Sequence, residues 1–320
     1  MPAWRNYMNL TSDNKKRITI FLVLAFGIAW ITALIIFLTG GLENSQVLDA
    51  TSGFTLAFLL LAGPYMWAPA IANLLTRLIT REGNRNYRLK PEVKQAWPYW
   101  VTAWVAPAIL ISLGAALFFL LFPQFLDGAF QTVRMQIAFS GQDPDIMNIP
   151  QLLLMQSLFA ILIAPLLNGI ATFGEEFGWR AYLLPKLLDL GVKKALIISG
   201  IIWGIWHLPV IAMGYNYGSG YPGAPWLGMV IMVWVTMAWG ILIGWLTLRG
   251  KSVWPAVIAH GALNGFAAIS TLVTKGSPSP LVGPLPTGVI ASLPFVVAAI
   301  WVLFSPKALE NLENKEISAS

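Results

Sequence analysis

Two adjacent glutamates, Glu175 and Glu176, stand near the end of an otherwise apolar segment. An ionisable group at membrane depth costs at least about 2.5–3.5 kcal/mol, so it needs a partner or a function. Glu176 and Arg180 are four residues apart and would share one face of a helix, close enough to pair. Glu175 is rotated by about 100° from Glu176, so the same arginine does not easily serve both. We therefore expect Glu176 to be structural and Glu175 to be free for chemistry.

The chain has two histidines, His207 and His260, and each lies inside another hydrophobic segment. At about 1.5 Å per residue, His207 is roughly 18 Å along its helix from the cytoplasmic end and His260 about 10 Å. Asn264 follows His260 by four residues and lies on the same helical face. Each residue alone is more typical of packing between membrane helices. Their compatible depths predict instead that they converge with the glutamates at one site.

Composition indicates a protein that crosses a membrane several times. The 320 residues are 57% hydrophobic and 11% charged, with a mean hydropathy of +0.69, whereas a soluble protein has about 25% charged residues. The absence of cysteine excludes disulfides, thiol catalysis and thiolate metal sites. The net charge of +6 is explained by basic loops, so we expect no nucleic-acid partner.

About 20 apolar residues cross the hydrocarbon layer as a helix. The sequence therefore predicts an all-α integral membrane protein, a bundle of about eight transmembrane helices. We divide the chain into an N-terminal three-span region (1–150), a catalytic core (151–275), and a C-terminal span with its tail (276–320). The predicted spans are 18–38, 53–76, 97–122, 151–174, 195–212, 226–248, 253–274 and 287–304.

The placement of basic residues predicts the orientation of the bundle. If the N-terminus is cytoplasmic, all of the 20 lysines and arginines except Arg134 and Lys275 fall on the cytoplasmic side. Such a bias is typical of cytoplasmic loops. We expect both termini to be cytoplasmic and the candidate site to lie on the cytoplasmic side of the bilayer. The expected location is a prokaryotic plasma membrane, with membrane lipids as neighbours.

Three motifs occur in order on separate hydrophobic segments: Glu175-Glu176-x-x-x-Arg180, Trp203-x-x-x-His207 and His260-x-x-x-Asn264. Together they resemble the CPBP family. This family comprises the CAAX-protease, bacteriocin-processing and Abi intramembrane proteases, including the Rce1-type prenyl-protein endopeptidases. The resemblance covers roughly residues 150–270. In two departures, Trp203 stands where phenylalanine is usual and Ala181 where glycine is common, and we expect neither exchange to affect the chemistry.

The resemblance implies a membrane-embedded, CAAX-type glutamic endopeptidase that hydrolyses a membrane-associated peptide or protein, lipidated in some relatives. It implies that Glu175 and His207 activate a water molecule, while His260 and Asn264 stabilise the oxyanion. Glu176 with Arg180 would hold the side chain of Glu175. No cofactor is required in this scheme.

Three alternatives stay open. Glu175, His207 and His260 are also a ligand set for catalytic zinc, although the sequence lacks His-Glu-x-x-His. The same residues would suit a proton or cation relay in a transporter, although no internal repeat is present. A non-catalytic protein that binds a peptide or confers bacteriocin immunity would keep the fold and use the site for capture.

Overall fold

The bundle is built almost entirely from helices, and the computed structural model describes residues 10–83, 87–310 and 312. The predicted termini, with Arg5 and Lys315, and the loop residue Arg85 lie outside the described residues. A two-stranded hairpin, β1 (Val47–Asp49) with β2 (Phe54–Thr55), follows the first helix. The α-helices are α1 (Ser12–Leu38), α2 (Leu56–Leu60), α3 (Met66–Ile79), α4 (Val93–Leu121), α5 (Gln131–Phe139), α6 (Ile149–Leu162), α7 (Ala164–Gly178), α8 (Leu184–Leu187), α9 (Val192–Trp206), α10 (Leu208–Ala212), α11 (Trp226–Gly250), α12 (Trp254–Phe266), α13 (Leu293–Phe304) and α14 (Pro306–Leu309).

Within the described residues, two π-helical turns and three 3₁₀ turns interrupt or extend these helices. Proline, glycine and buried polar groups are the usual causes of such breaks. The π-helical turn after α2 contains Gly63 and Pro64, and Gly63 has non-helical dihedral angles (φ −90°, ψ −108°). The π-helical turns are Leu61–Tyr65 and Trp179–Leu183, and the 3₁₀ turns are Pro123–Phe125, Leu188–Leu190 and Ile269–Val273.

One end of the bundle, here called the basic end, joins the start of α1 to the ends of α3 and α11. Arg17 lies 3.7 Å from Glu82, and Glu82 accepts a hydrogen bond of 2.6 Å from Lys186. Arg249, at the end of α11, donates to the hydroxyl of Tyr99 near the start of α4 at 2.8 Å. The lysines and arginines of the described chain at this end are Lys15, Lys16, Arg17, Arg77, Arg81, Arg88, Lys90, Lys94, Lys186, Lys193, Lys194, Arg249, Lys251 and Lys307.

The opposite end, here called the open end, joins the remaining helix termini. Leu126, after α4, forms an isolated β-bridge with Thr274, after α12. The hydroxyl of Tyr217, between α10 and α11, donates to the carbonyl of Thr287, before α13, at 2.9 Å. These contacts tie the loops at this end of the described bundle to one another. The acidic and basic residues of the described chain at the open end are Glu43, Asp49, Asp127, Arg134, Asp143, Asp145 and Lys275.

The all-α membrane architecture predicted from the sequence is confirmed, with a difference in helix length. Within the described ranges, five helical segments are long and apolar enough to span a membrane, and the pair α6 and α7, bent by 42°, makes a sixth if counted as one. The predicted spans 195–212 and 287–304 correspond to α9, of 15 residues, and α13, of 12. Helix α9 ends early because Pro209 has no N–H to donate to the preceding turn. Helix α13 begins late because glycines and prolines crowd the segment before it.

Helix α7 is held between α3 and α12 by positions without a side chain. A Cβ atom at Gly174 would lie 2.7 Å from the carbonyl oxygen of Met66 in α3. A Cβ atom at Gly261 in α12 would lie 2.5 Å from the carbonyl oxygen of Pro165 in α7. Small residues allow such close approach between membrane helices. The two contacts fix the rotation of α7 and therefore the direction of its two glutamates.

We expect Gly261→Ala to lower the free energy of unfolding by about 1–3 kcal/mol, because the added methyl group must displace the backbone of α7. Gly27→Ala in α1 is the matched control, since nothing lies within 4 Å of a Cβ atom there. Thermal unfolding in detergent measures both. An unchanged midpoint for Gly261→Ala would show that the helices are not in close contact at this glycine.

The cluster at the basic end predicts a pH dependence. Burial raises the pKa of Glu82, but the hydrogen bond and charge of Lys186, with the charge of Arg77, lower it below its ordinary value of 4.5 overall. When the pKa of a carboxyl group is lower in the folded than in the unfolded protein, the group stabilises the fold at pH values above the unfolded-state pKa. That contribution is lost as the pH falls through the folded-state pKa. We expect Glu82→Gln to lower the unfolding free energy by about 1–3 kcal/mol at pH 7. The deficit should shrink below pH 4.5; a constant deficit across a pH series of unfolding curves would contradict this account.

Candidate active site

A cavity of about 100 Å³ is lined by the four residues that the sequence assigns to catalysis. Glu175 comes from α7, His207 from the junction of α9 and α10, and His260 and Asn264 from α12. The three helices therefore bring these four side chains to the wall of one cavity. Their similar depths in the sequence analysis predict this convergence. Glu175, His207 and His260 are buried, whereas Asn264 is exposed to the cavity.

Glu176 does not line the cavity and connects Arg180 with His260. Its Oε1 accepts a hydrogen bond from Nη1 of Arg180 at 3.2 Å and contacts Nδ1 of His260 at 2.8 Å. Glu176 and Arg180 are fully buried. The expected pair of Glu176 with Arg180 is present, and its expected role in holding Glu175 stays a prediction. The carboxylate of Glu176 also contacts His260, whereas Glu175 has a different hydrogen-bond partner.

That partner is Trp203, whose Nε1 donates to Oε2 of Glu175 at 2.7 Å. The guanidinium of Arg180 lies 4.4 Å from the centre of the same indole ring, at the distance of a cation–π contact. Phenylalanine has no N–H, so tryptophan at this position supplies the buried carboxylate with a hydrogen-bond donor that phenylalanine would lack. The expectation that the exchange does not affect the chemistry stays a prediction. The feature of the sequence that could have indicated this hydrogen bond is tryptophan at position 203, where the family usually has phenylalanine.

The contacts of the two imidazoles define which ring nitrogen is available. Nδ1 of His207 lies 2.8 Å from the carbonyl oxygen of Trp203, which only accepts hydrogen bonds, so Nδ1 carries the proton. Nε2 of a neutral His207 then has a free lone pair. Nδ1 of His260 is directed at the carboxylate of Glu176 in the same way. In both histidines, Nε2 is the nitrogen left for a ligand in the cavity.

The carbonyl of Trp206, at the end of α9, is held by two residues that the sequence analysis did not assign to the site. The break before Pro209 deprives this helix end of its usual partners. Nε1 of Trp30 donates to the carbonyl at 3.2 Å and the hydroxyl of Tyr65 at 2.8 Å. These bonds fix the residue next to His207. Gly63-Pro64 inside a predicted span was the signal that could have indicated a special turn before Tyr65.

The arrangement of possible ligand atoms bears on the zinc alternative. A catalytic zinc site needs three protein ligands grouped around one point. In the part of the chain that the structure describes, no three histidine, cysteine, aspartate or glutamate side chains form such a group. Glu176 contacts Nδ1 of His260 and Trp203 donates to Oε2 of Glu175, so Nε2 and Oε1 are the atoms left for a ligand. The zinc version of the reaction stays an alternative hypothesis.

The fold and the site together define an all-α membrane protein with carboxylates and imidazoles gathered in a buried cavity. Residues 150–266 match the family described as Type II CAAX prenyl endopeptidase Rce1-like. CAAX prenyl protease 2 of Methanococcus maripaludis is 34% identical to this chain over 110 residues, which cover 33% of the chain and 38% of that protein. The resemblance read from the three motifs is confirmed for this segment. The chain spans about 38% of the length of the relative it matches.

We expect Trp203→Phe to lower the free energy of unfolding by about 1–3 kcal/mol, because the buried carboxylate of Glu175 loses its donor. The double variant Trp203→Phe with Glu175→Gln should lose less unfolding free energy than the sum of the losses in the two single variants. A double-mutant cycle of unfolding free energies measures this coupling. Additive effects within about 0.5 kcal/mol would mean that the indole N–H does not compensate the carboxylate.

Proposed function

We propose that this protein is an intramembrane endopeptidase that hydrolyses a peptide bond of a membrane-associated substrate. One observation carries the proposal: Glu175, His207, His260 and Asn264 line a single cavity. The match of residues 150–266 to an Rce1-like endopeptidase family supports the same reaction class. A lipidated substrate is part of the proposal, in line with the name of the relative, CAAX prenyl protease 2.

Glu175 and His207 act on the attacking water. Oε2 of Glu175 is occupied by the indole, so Oε1 accepts one hydrogen bond from the water. Nε2 of His207 accepts the other, because Nδ1 donates to the carbonyl of Trp203. The pair removes a proton as the water oxygen attacks the carbonyl carbon, and the proton is then delivered to the leaving amine. General acid–base catalysis of this kind contributes about 10²–10⁴-fold.

His260 and Asn264 stabilise the oxyanion that forms on the carbonyl oxygen. Because Nδ1 of His260 donates to Glu176, donation from Nε2 requires the doubly protonated ring. The carboxylate of Glu176 provides the opposite charge that such a ring needs. The side-chain amide of Asn264, one helical turn further along α12, supplies a second donor. This reaction needs no metal ion.

We expect Glu175→Gln, His207→Ala and His260→Ala each to abolish cleavage while the protein is still expressed in the membrane. Asn264→Ala removes one oxyanion donor and should lower kcat by about 10²–10³-fold. Mass spectrometry of membrane proteins and lipidated peptides incubated with the wild type and each variant measures the products. Glu43→Gln, a carboxylate change at the open end and away from the cavity, is the control.

Wild-type turnover by Glu175→Gln would refute the catalytic assignment. If the wild type binds peptides without cutting them, the protein is a capture or immunity protein. Ion flux in proteoliposomes that stops in the Glu175 variant would instead indicate a transporter. Loss of wild-type activity in chelator, restored by zinc, would contradict the metal-free reaction.

A further inference from the structure

The cavity extends from Glu175 toward one end of the bundle. Along α9 and α10 its wall continues past His207 to Tyr215 and Asn216, in the loop between α10 and α11. Along α12 it continues past Asn264 to Ala267, at the end of that helix. Thr287, before α13, completes this part of the wall. Loop 213–225 and Thr287 belong to the open end, where Tyr217 donates to Thr287.

Toward the basic end the site is closed by side chains. The chain that follows Glu175 turns beneath the cavity through the π-helical turn Trp179–Leu183 into α8. In the described chain, none of the side chains of this floor lines the cavity. The floor residues with no exposed surface are Glu176, Trp179, Arg180, Tyr182, Leu183 and Leu184. The part of the cavity wall that leads away from Glu175 therefore runs past Asn216 and Ala267, toward the open end.

The two ends differ strongly in charge. In the described chain, Arg134 and Lys275 are the basic residues of the open end, where they are outnumbered by five carboxylates: Glu43, Asp49, Asp127, Asp143 and Asp145. The lysines and arginines in the short loops of the basic end are typical of a cytoplasmic face. The charge bias therefore assigns the basic end to the cytoplasm and the open end to the opposite face.

We propose that the substrate enters from the extracytoplasmic face, so that the protein cuts membrane-anchored chains whose cleavage site is exposed outside the cytoplasm. This inference rests on the proposed endopeptidase function and names its substrate class. It differs from the cytoplasmic-side site expected from the sequence because depth and access are separate properties. Glu175 lies near the cytoplasmic end of α7, but the floor beneath it is sealed.

The absence of native cysteine makes the test direct. Single cysteines are placed in the cavity wall (Asn216→Cys and Ala267→Cys), on the surface of the open end (Ser277→Cys) and at the basic end (Lys16→Cys). A membrane-impermeant maleimide is applied to intact cells and, separately, to inverted membrane vesicles. We expect the two cavity cysteines and Ser277→Cys to be labelled in intact cells, and Lys16→Cys only in inverted vesicles.

Three results would overturn the proposal. In the first, the two cavity cysteines are labelled in the same preparation as Lys16→Cys. In the second, the cavity cysteines and Ser277→Cys are all labelled only in inverted vesicles. In the third, the cavity cysteines are labelled only after the protein is denatured. Labelling needs no turnover, so this outcome is separate from failure of the proposed function. Where cleavage is measurable, labelling Asn216→Cys in intact cells should reduce it at least tenfold relative to the same variant before labelling. Unchanged cleavage would mean that the substrate uses another path.

Discussion

The site depends on Glu176, because this carboxylate compensates the charge of Arg180 inside an apolar bundle and also contacts the imidazole of His260. An unpaired buried ion is so unfavourable that it is paired or neutralised. Oε1 of Glu176 contacts both Arg180 and His260. Arg180 in turn lies on the ring of Trp203, which donates to Glu175. One chain of contacts therefore joins both carboxylates, the guanidinium and one imidazole.

This network requires helices that approach closely, and the glycines supply that approach. Gly174 lets α7 contact α3, and Gly261 lets α12 contact α7. A contact of 2.8 Å between Glu176 and His260 is possible only if α7 and α12 are in register. The backbone packing and the polar network support each other. Neither is sufficient alone, because packed glycines do not compensate a buried charge and a charge pair does not fix helix rotation.

Much of this arrangement could be predicted from the sequence, and the rest depends on rotation rather than on spacing. The i, i+4 pair of Glu176 with Arg180 follows from helix geometry, and the depth of the histidines follows from helix rise. The contacts between residues of different helices do not follow from spacing along one helix. Whether Glu175 or Glu176 meets His260 is decided by how α7 turns against α12. The exchange of phenylalanine for Trp203 looked neutral because an aromatic ring was compared by size and not by its N–H group.

The helix count illustrates a second limit of sequence patterns. Hydropathy located eight apolar segments, whereas the described chain has five helical segments long and apolar enough to span a membrane, or six if the bent pair of α6 and α7 is counted as one. Helices α9 and α13 are shorter than the apolar segments that predicted them, because proline and glycine stop a helix without changing hydropathy. The shortening has a structural consequence at α9. Its early end leaves the carbonyl of Trp206 for Tyr65 and Trp30, and it puts His207 at a helix terminus.

The position of His207 at that terminus also bears on how the proposed access path differs from the depth of the site. A residue inside a continuous helix is surrounded by its neighbours, so its distance from either interface indicates the shorter path to water. Here α9 stops at Trp206, and the chain beyond it turns through α10 into loop 213–225. The space above the helix end becomes the cavity, with Asn216 in its wall. The same break that places His207 at a helix terminus therefore lets the cavity wall continue toward the end of the bundle from which α9 does not start.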